Sequence, residues 1–118
     1  MDDEEAVLVA MQTLLETFGY QIAAFTSANA FLASDALRRA HCLIVDVKMP
    51  QMNGPELYRK LSAAGYRIPV IFITGSPNPK AERELVEDGA IAYLTKPIEA
   101  ETLRESVQKA LRAAPRND

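Results

Sequence analysis

Directly behind the first residue stand four carboxylates, in MDDEE, and three further polar residues close apolar runs: Asp46 ends LIVD, Thr74 ends IFIT and Lys96 follows AYLT. If those runs are neighbouring strands, a single edge collects Asp2, Asp3 and Asp46 together with one hydroxyl and one ammonium. Carboxylates crowded at the mouth of apolar strands repel one another unless a cation sits among them. An all-oxygen set with room for waters and a phosphoryl group suits magnesium. Zinc would ask for a cluster of His and Cys that this sequence lacks. Each residue taken alone has a plainer reading. Asp2 and Asp3 fit a charge pair at a helix start, where acids complement the macrodipole, Asp46 fits a turn starter, Thr74 a strand-end hydroxyl bonded to backbone, and Lys96 a surface cation. Their joint placement carries the argument. His41 has no acid or serine partner in its motif and is read as a solvated residue at a strand start, not a general base.

The positions of these residues depend on the elements around them. Val7, Met11, Leu14 and Phe18 recur at helical spacing and Gly19 stops that pattern. YQIAAF reads as a short strand, Ser27 as the N-cap of a helix through Phe31 and Leu32, and HCLIVDV as a buried strand. Asn53, Gly54 and Pro55 open a helix that carries Leu57 and Leu61 and closes at Gly65. PVIFIT is another buried strand. Asn78 and Pro79 cap a helix that ends at Gly89, AYLT forms the last strand, and Leu103, Val107 and Leu111 mark the inner face of a final helix. Nearly continuous apolar strands alternating with helices predict an α/β fold, a doubly wound parallel sheet covered on both faces. In such sheets ligands gather at the carboxyl ends of the strands, the edge where the polar residues fall.

Composition narrows the function classes. With 118 residues and 48% hydrophobic content, one compact domain with a single core is expected. Net charge is -3 and the 13 basic residues are dispersed, which argues against direct nucleic-acid binding. Cys42 is the only cysteine, so no internal disulfide can form and a buried thiol in a reducing, cytoplasmic setting is expected. No apolar stretch has the length of a membrane span, and the acidic start is unlike a secretory signal. Residues 1–113 are read as one domain and Ala114 to Asp118 as a frayed tail.

In order and spacing, DDEE, LIVDVKMPQMNG, IFITG and GAIAYLTKP resemble the receiver domain of bacterial two-component response regulators. The spacing from Asp46 to Thr74 to Lys96 is similar to the FixJ-like branch, whose members usually attach a DNA-binding domain. The resemblance implies a flavodoxin-like fold. It also implies that Asp46 accepts a phosphoryl group from a histidine kinase or histidine phosphotransfer protein, and that Asp3, Asp46 and the Lys48 carbonyl bind Mg2+, with Asp2 assisting through water. Lys96 would pair with the phosphoryl oxygens, Thr74 would bond to one of them, and Tyr93 would occupy the aromatic switch position. Pro97 would follow a cis peptide. A remodelled surface would then regulate transcription through an output domain or partner, with a homodimer as a further expectation. The rival reading is a pseudo-receiver that binds proteins without phosphorylation. An aspartyl-phosphate hydrolase is disfavoured, since Val47-Lys48 lacks the second aspartate such enzymes use.

Two departures bear on this. GSPNP carries two prolines where relatives often have a flexible turn; Leu8 and Val9 put apolar residues at positions usually polar, as a contact surface would. Relatives also place a short buried strand ahead of the acidic pair, in the middle of a sheet ordered 2-1-3-4-5, whereas here the acids follow Met1 at once. AVLVA could serve as that strand, but this would carry Asp2 and Asp3 to its amino end, about 16 Å from Asp46 at roughly 3.3 Å per residue. A helix from about Glu4 is expected instead. The YQIAAF and HCLIVDV strands must then close up, or the gap is filled by a second chain, or translation starts upstream and Met1 is internal to the strand. On this reading the acid cluster is poorly fixed and weak for magnesium.

Overall fold

The computed structural model describes residues 1–113; the expected tail, 114–118, lies outside the described residues. Three parallel strands, β1 (Leu43–Asp46), β2 (Val70–Thr74) and β3 (Ala92–Thr95), form a sheet in the order β1-β2-β3. Among the described residues six helices surround it: α1 (Glu5–Thr17), α2 (Ala28–Leu32), α3 (Ala36–Arg39), α4 (Gly54–Ala63), α5 (Pro79–Glu87) and α6 (Ala100–Ala113). One face of the sheet packs Leu15 of α1 and Leu103, Val107 and Ala110 of α6 around Ile71. The opposite face packs Phe31 of α2, Leu57 and Leu61 of α4 and Leu85 of α5 around Val45 and Phe72. Every residue of β2 is buried, as its unbroken apolar run requires when both faces are covered.

Local chemistry sets the helix boundaries. The Ser27 hydroxyl caps α2 by accepting the Ala30 N–H. Asn53 and Glu56 form a reciprocal capping box at the start of α4, and Asn78 accepts two N–H groups where Pro79 opens α5. Gly65 and Gly89 take up the left-handed conformation just beyond α4 and α5, at φ +87° and +109°. Gly54 is needed for a different reason, as a Cβ there would lie 2.6 Å from the Asp46 carbonyl oxygen and 3.1 Å from Val45 Cγ1. Backbone cannot retreat as a flexible side chain can. Gly54→Ala is therefore expected to destabilise the fold by about 2 kcal/mol, the usual cost of overpacking, read as a lower midpoint in urea at unchanged slope.

Three sequence expectations need correction. YQIAAF does not form a strand: residues 20–25 join no ladder. A strand exists only through its partners, and this segment is not hydrogen-bonded to β1. Between the two lie Met1 and Asp2. The Asp2 N–H donates to the Phe25 carbonyl at 3.2 Å, the Asp46 N–H donates to the Met1 carbonyl at 2.9 Å, and the Met1 ammonium donates to the Ile44 carbonyl. The two segments have not closed up, and a cavity of about 120 Å³ continues the line of Met1 between them. The second correction concerns α6, where Ala110 is fully buried and Leu111 is substantially exposed. A strict four-residue repeat drifts around a helix of 3.6 residues per turn, so the inner face passes from Val107 to Ala110. On α1 the same drift makes Leu15 the buried residue. The third concerns the acids. Asp2 is 0% exposed and its backbone is tied to Phe25, so this part of the cluster is held in place. AVLVA lies within α1, in agreement with the helix expected from about Glu4.

Candidate functional site

Parallel register brings the polar strand ends together. Asp46 pairs with Ile73, one residue short of Thr74, and Thr74 pairs with Thr95, directly before Lys96. Asp2 and Asp3 arrive from the other side of β1 because Met1 is bonded to Ile44 and Asp46. Carboxylate oxygens of Asp2, Asp3 and Asp46 all lie within 4.8 Å of one another. Asp2 and Asp46 are buried, whereas Asp3 faces solvent.

Lys96 Nζ binds into this acid group, 2.8 Å from Asp46 Oδ2 and 2.8 Å from Asp2 Oδ2, with the exposed Glu4 carboxylate at 3.8 Å. Burial works to lower the Lys96 pKa, but the contacts with Asp2 and Asp46 outweigh it and raise the pKa above the ordinary lysine value. The ammonium thus stays charged throughout the physiological range. The other oxygens are fixed by backbone: Lys48 N–H donates to Asp46 Oδ1 at 3.0 Å and Glu4 N–H donates to Asp2 Oδ1 at 2.9 Å. Asp2 Oδ2 remains. It is buried and is met by the Lys96 ammonium instead of by backbone. Three carboxylates whose oxygens come this close, two of them buried, fit a hard divalent cation. Asp2, Asp3, Asp46 and the adjoining Lys48 backbone are the residues that would hold magnesium.

Thr74 is buried, its Oγ1 accepts the Ser76 N–H at 3.0 Å, and its carbonyl accepts the Lys96 N–H at 2.8 Å. Its hydroxyl proton is free to be donated elsewhere. Tyr93 pairs with Phe72, two residues from Thr74 on the same face of β2. The Tyr93 ring is half-buried against the α4–α5 side of the core, and its hydroxyl accepts the Asn78 N–H at 3.2 Å. Lys96 and Pro97 are joined by a cis peptide. His41 is exposed and stands outside the cluster.

The model of the response regulator receiver domain matches residues 1–108. The chain belongs to that family. It is 39% identical over 115 residues to the response regulator protein TmoT of Ectopseudomonas mendocina, covering 98% of this chain and 52% of that protein. To the transcriptional regulatory protein FixJ of Rhizobium meliloti it is 34% identical over 110 residues, covering 93% of this chain and 54% of that protein. Among solved structures, FixJ-N superposes with a TM-score of 0.88 at 31% identity, covering 99% of this chain and 94% of that one. The response regulator StyR superposes with a TM-score of 0.89 at 31% identity, covering 97% and 58%. This receiver thus spans about half the length of the curated relatives it matches. Its fold is flavodoxin-like, and its place is in phosphorelay signalling.

Sequence reasoning missed three parts of this arrangement. The Gly54 contact, the hydrogen bond between Asn78 and Tyr93, and the pairing of Met1 with both walls all depend on close approach of segments distant in sequence. For the first, the glycine opening a helix after MPQMN was an available signal, since glycine is disfavoured inside helices unless something approaches closely.

Proposed function

We propose that Asp46 is the phosphoacceptor of this receiver and takes its phosphoryl group from a phosphohistidine on a histidine kinase or histidine phosphotransfer protein in the cytoplasm. The observation that carries this reading is a buried aspartate at the carboxyl end of β1, with one oxygen on Lys96 and two further carboxylates beside it. In the transfer an Asp46 oxygen attacks phosphorus in line, the P–O bond forms as the P–N bond breaks, and the electron pair leaves with the imidazole. Magnesium, when bound, would supply positive charge to the phosphoryl oxygens. Lys96 would supply a second positive charge from the end of β3, with its Nζ already on Asp46 Oδ2. The Lys48 N–H holds the carboxylate in place through Oδ1. No further group is required for a phosphoacceptor, whose chemistry extends at most to self-phosphorylation from a small donor and self-dephosphorylation.

Thr74 and Tyr93 couple the modification to binding. A phosphoryl group adds about 1.5 to 2 negative charges and strong acceptors. The Thr74 O–H would donate to one of them. Drawing Thr74 inward opens space on the face it shares with Tyr93, and an inward turn of Tyr93 would release the Asn78 N–H at the start of α5. A partner or a second copy of the chain that prefers the changed α5–β3 surface then shifts the population. Regulation of transcription through an output domain or partner follows from this switch. The domain's dispersed basic residues argue against its own contact with nucleic acid.

Intact mass after incubation with acetyl phosphate and Mg2+ tests the reading: one added phosphoryl group supports it, and an unchanged mass that persists with a phosphohistidine donor refutes it. Two variants separate the roles. Asp3→Ala removes an exposed ligand and is expected to weaken magnesium binding by about tenfold or more, a loss of roughly 1.4 kcal/mol; equal affinity by calorimetry would remove Asp3 from the metal site. Thr74→Ala should still be phosphorylated but show a smaller phosphorylation-dependent change in partner affinity.

A further inference from the structure

From Ala6 to Leu15 the sequence AVLVAMQTLL of α1 holds no charged side chain, whereas α4, α5 and α6 each carry three or more. Packing on the sheet accounts for one line of α1, where Leu15 is buried and Met11, Leu14 and Phe18 surround it. The opposite line, Ala6, Val9, Ala10, Thr13 and Thr17, faces solvent. Val9 is 61% exposed, more than any other large apolar side chain among the described residues. One exposed valine is ordinary, but a helix without charge on any side belongs inside a larger packing unit. Ala6, Ala10, Thr13 and Thr17 recur at intervals of four, three and four residues, the spacing of a seam between paired helices. The Thr17 hydroxyl donates to the Thr13 carbonyl at 2.9 Å, so it brings no unsatisfied donor to such a seam. The two ends of the face differ in charge. Glu4 and Glu5 stand at its amino end. At its carboxyl end the Arg104 guanidinium of α6 lies over the Phe18 ring, 5.4 Å from the centroid. Glu5 and Phe18 are about 20 Å apart along the helix, at roughly 1.5 Å per residue.

We propose that the outer face of α1 pairs with the same face of a second copy of this chain, antiparallel about a twofold axis near Met11 and Gln12. Charge complementarity selects both the partner and the direction. An isologous contact needs a surface complementary to itself, and this one is uncharged in the middle, acidic at one end and basic at the other. With the axis midway between Glu5 and Phe18, each copy sets its Glu5 against Arg104 of the other, twice over. Ala10 then meets Thr13 of the second copy, with Val9 packed alongside. A parallel pair would set acid against acid and align the helix dipoles unfavourably. One helix pair buries less than the roughly 1,000 Å² of a stable interface, so the dimer is weak, with Kd on the order of 100 µM. Since α1 and α5 cover opposite faces of the sheet, the contact leaves the α5–β3 surface free. It does not depend on Asp46.

Sedimentation equilibrium of the chain from about 10 µM to about 1 mM, a range that brackets this Kd, tests the proposal. The apparent mass should rise from one chain toward two, equally for the wild type and Asp46→Asn and equally with or without acetyl phosphate. Failure of phosphorylation therefore leaves this result untouched. Val9→Glu and Thr13→Glu alter exposed positions; each should weaken association about tenfold or more, with an unchanged melting temperature at low concentration. Arg104→Glu should weaken it as well, and the double reversal Glu5→Arg with Arg104→Glu should restore it. A chain that stays monomeric at the highest concentration would leave this face to some other protein and overturn the proposal. So would a dimer that Val9→Glu and Thr13→Glu leave intact, or one that forms only on phosphorylation. A double reversal no stronger than Arg104→Glu alone would overturn the antiparallel register.

Discussion

Asp46→Asn is expected to abolish all mass gain from acetyl phosphate and Mg2+ while the chain remains folded. An amide is nearly the same shape as the carboxylate and its oxygen can keep the bond from the Lys48 N–H, but it is not a nucleophile for phosphorus. The fold tolerates the change for an electrostatic reason. Removing one partner of a buried ion pair normally costs about 3–5 kcal/mol because a charge is left uncompensated. Here Lys96 faces Asp2 and Glu4 as well as Asp46, so the ammonium keeps a partner and one source of repulsion among the acids disappears. A stability change of no more than about 1–2 kcal/mol in either direction is therefore expected, on the scale of a single displaced charge. The measurement is intact mass beside a denaturant melt. A folded variant that still gains one phosphoryl mass would place the acceptor elsewhere.

How far this site could be read from sequence depends on which residues are considered. Asp46, Thr74 and Lys96 were legible because each ends or follows an apolar run, and a parallel sheet aligns such ends by construction. Helix starts were legible at Ser27, Asn53 and Asn78, where the capping side chain is itself the signal. YQIAAF misled for the opposite reason. Its composition suits a strand, but whether it becomes one is decided by a neighbour that local pattern does not contain. Leu111 and Ala110 show the limit of reading periodicity by a fixed step. The α3 turn, Ala36–Arg39, has no buried residue and hence left no apolar pattern to find. Gly54 and the Asn78–Tyr93 bond express contacts between segments far apart in the chain, where no local preference applies.

Adding about five apolar residues ahead of Met1 should raise both the melting temperature and the affinity for magnesium, and the gain in stability should depend on pH. Such a segment would occupy the cavity beside Ile22, Cys42 and Ile44 and give the Ile44 N–H a partner, each new bond contributing about 1 kcal/mol net. Ordering five residues costs a comparable amount, so the bonds alone would not decide the sign. Apolar burial and the Met1 ammonium do. Burial lowers that ammonium from its ordinary value of 8.0 to about 6, with Asp2 and Asp46 opposing the shift. A base whose pKa is depressed by folding subtracts nothing above its unfolded value and subtracts most below its folded value. A polypeptide made to begin at Met1 should therefore lose stability as pH falls from about 8 through 6, by up to about 2–3 kcal/mol. In the extended chain a neutral peptide group replaces the ammonium and this loss is absent. The extension should accordingly raise the melting temperature by on the order of 10 °C at pH 6, at roughly 4 °C per kcal/mol for a domain of this size, and by less at pH 8.5. Magnesium affinity should rise as well, because a strand continuing through Met1 fixes Asp2 and Asp3 from both sides and removes a positive charge close to the metal ligands. Equal melting temperatures for the two polypeptides at pH 6, or a gain that is the same at both pH values, would show that a charge on the Met1 nitrogen does not weaken this fold.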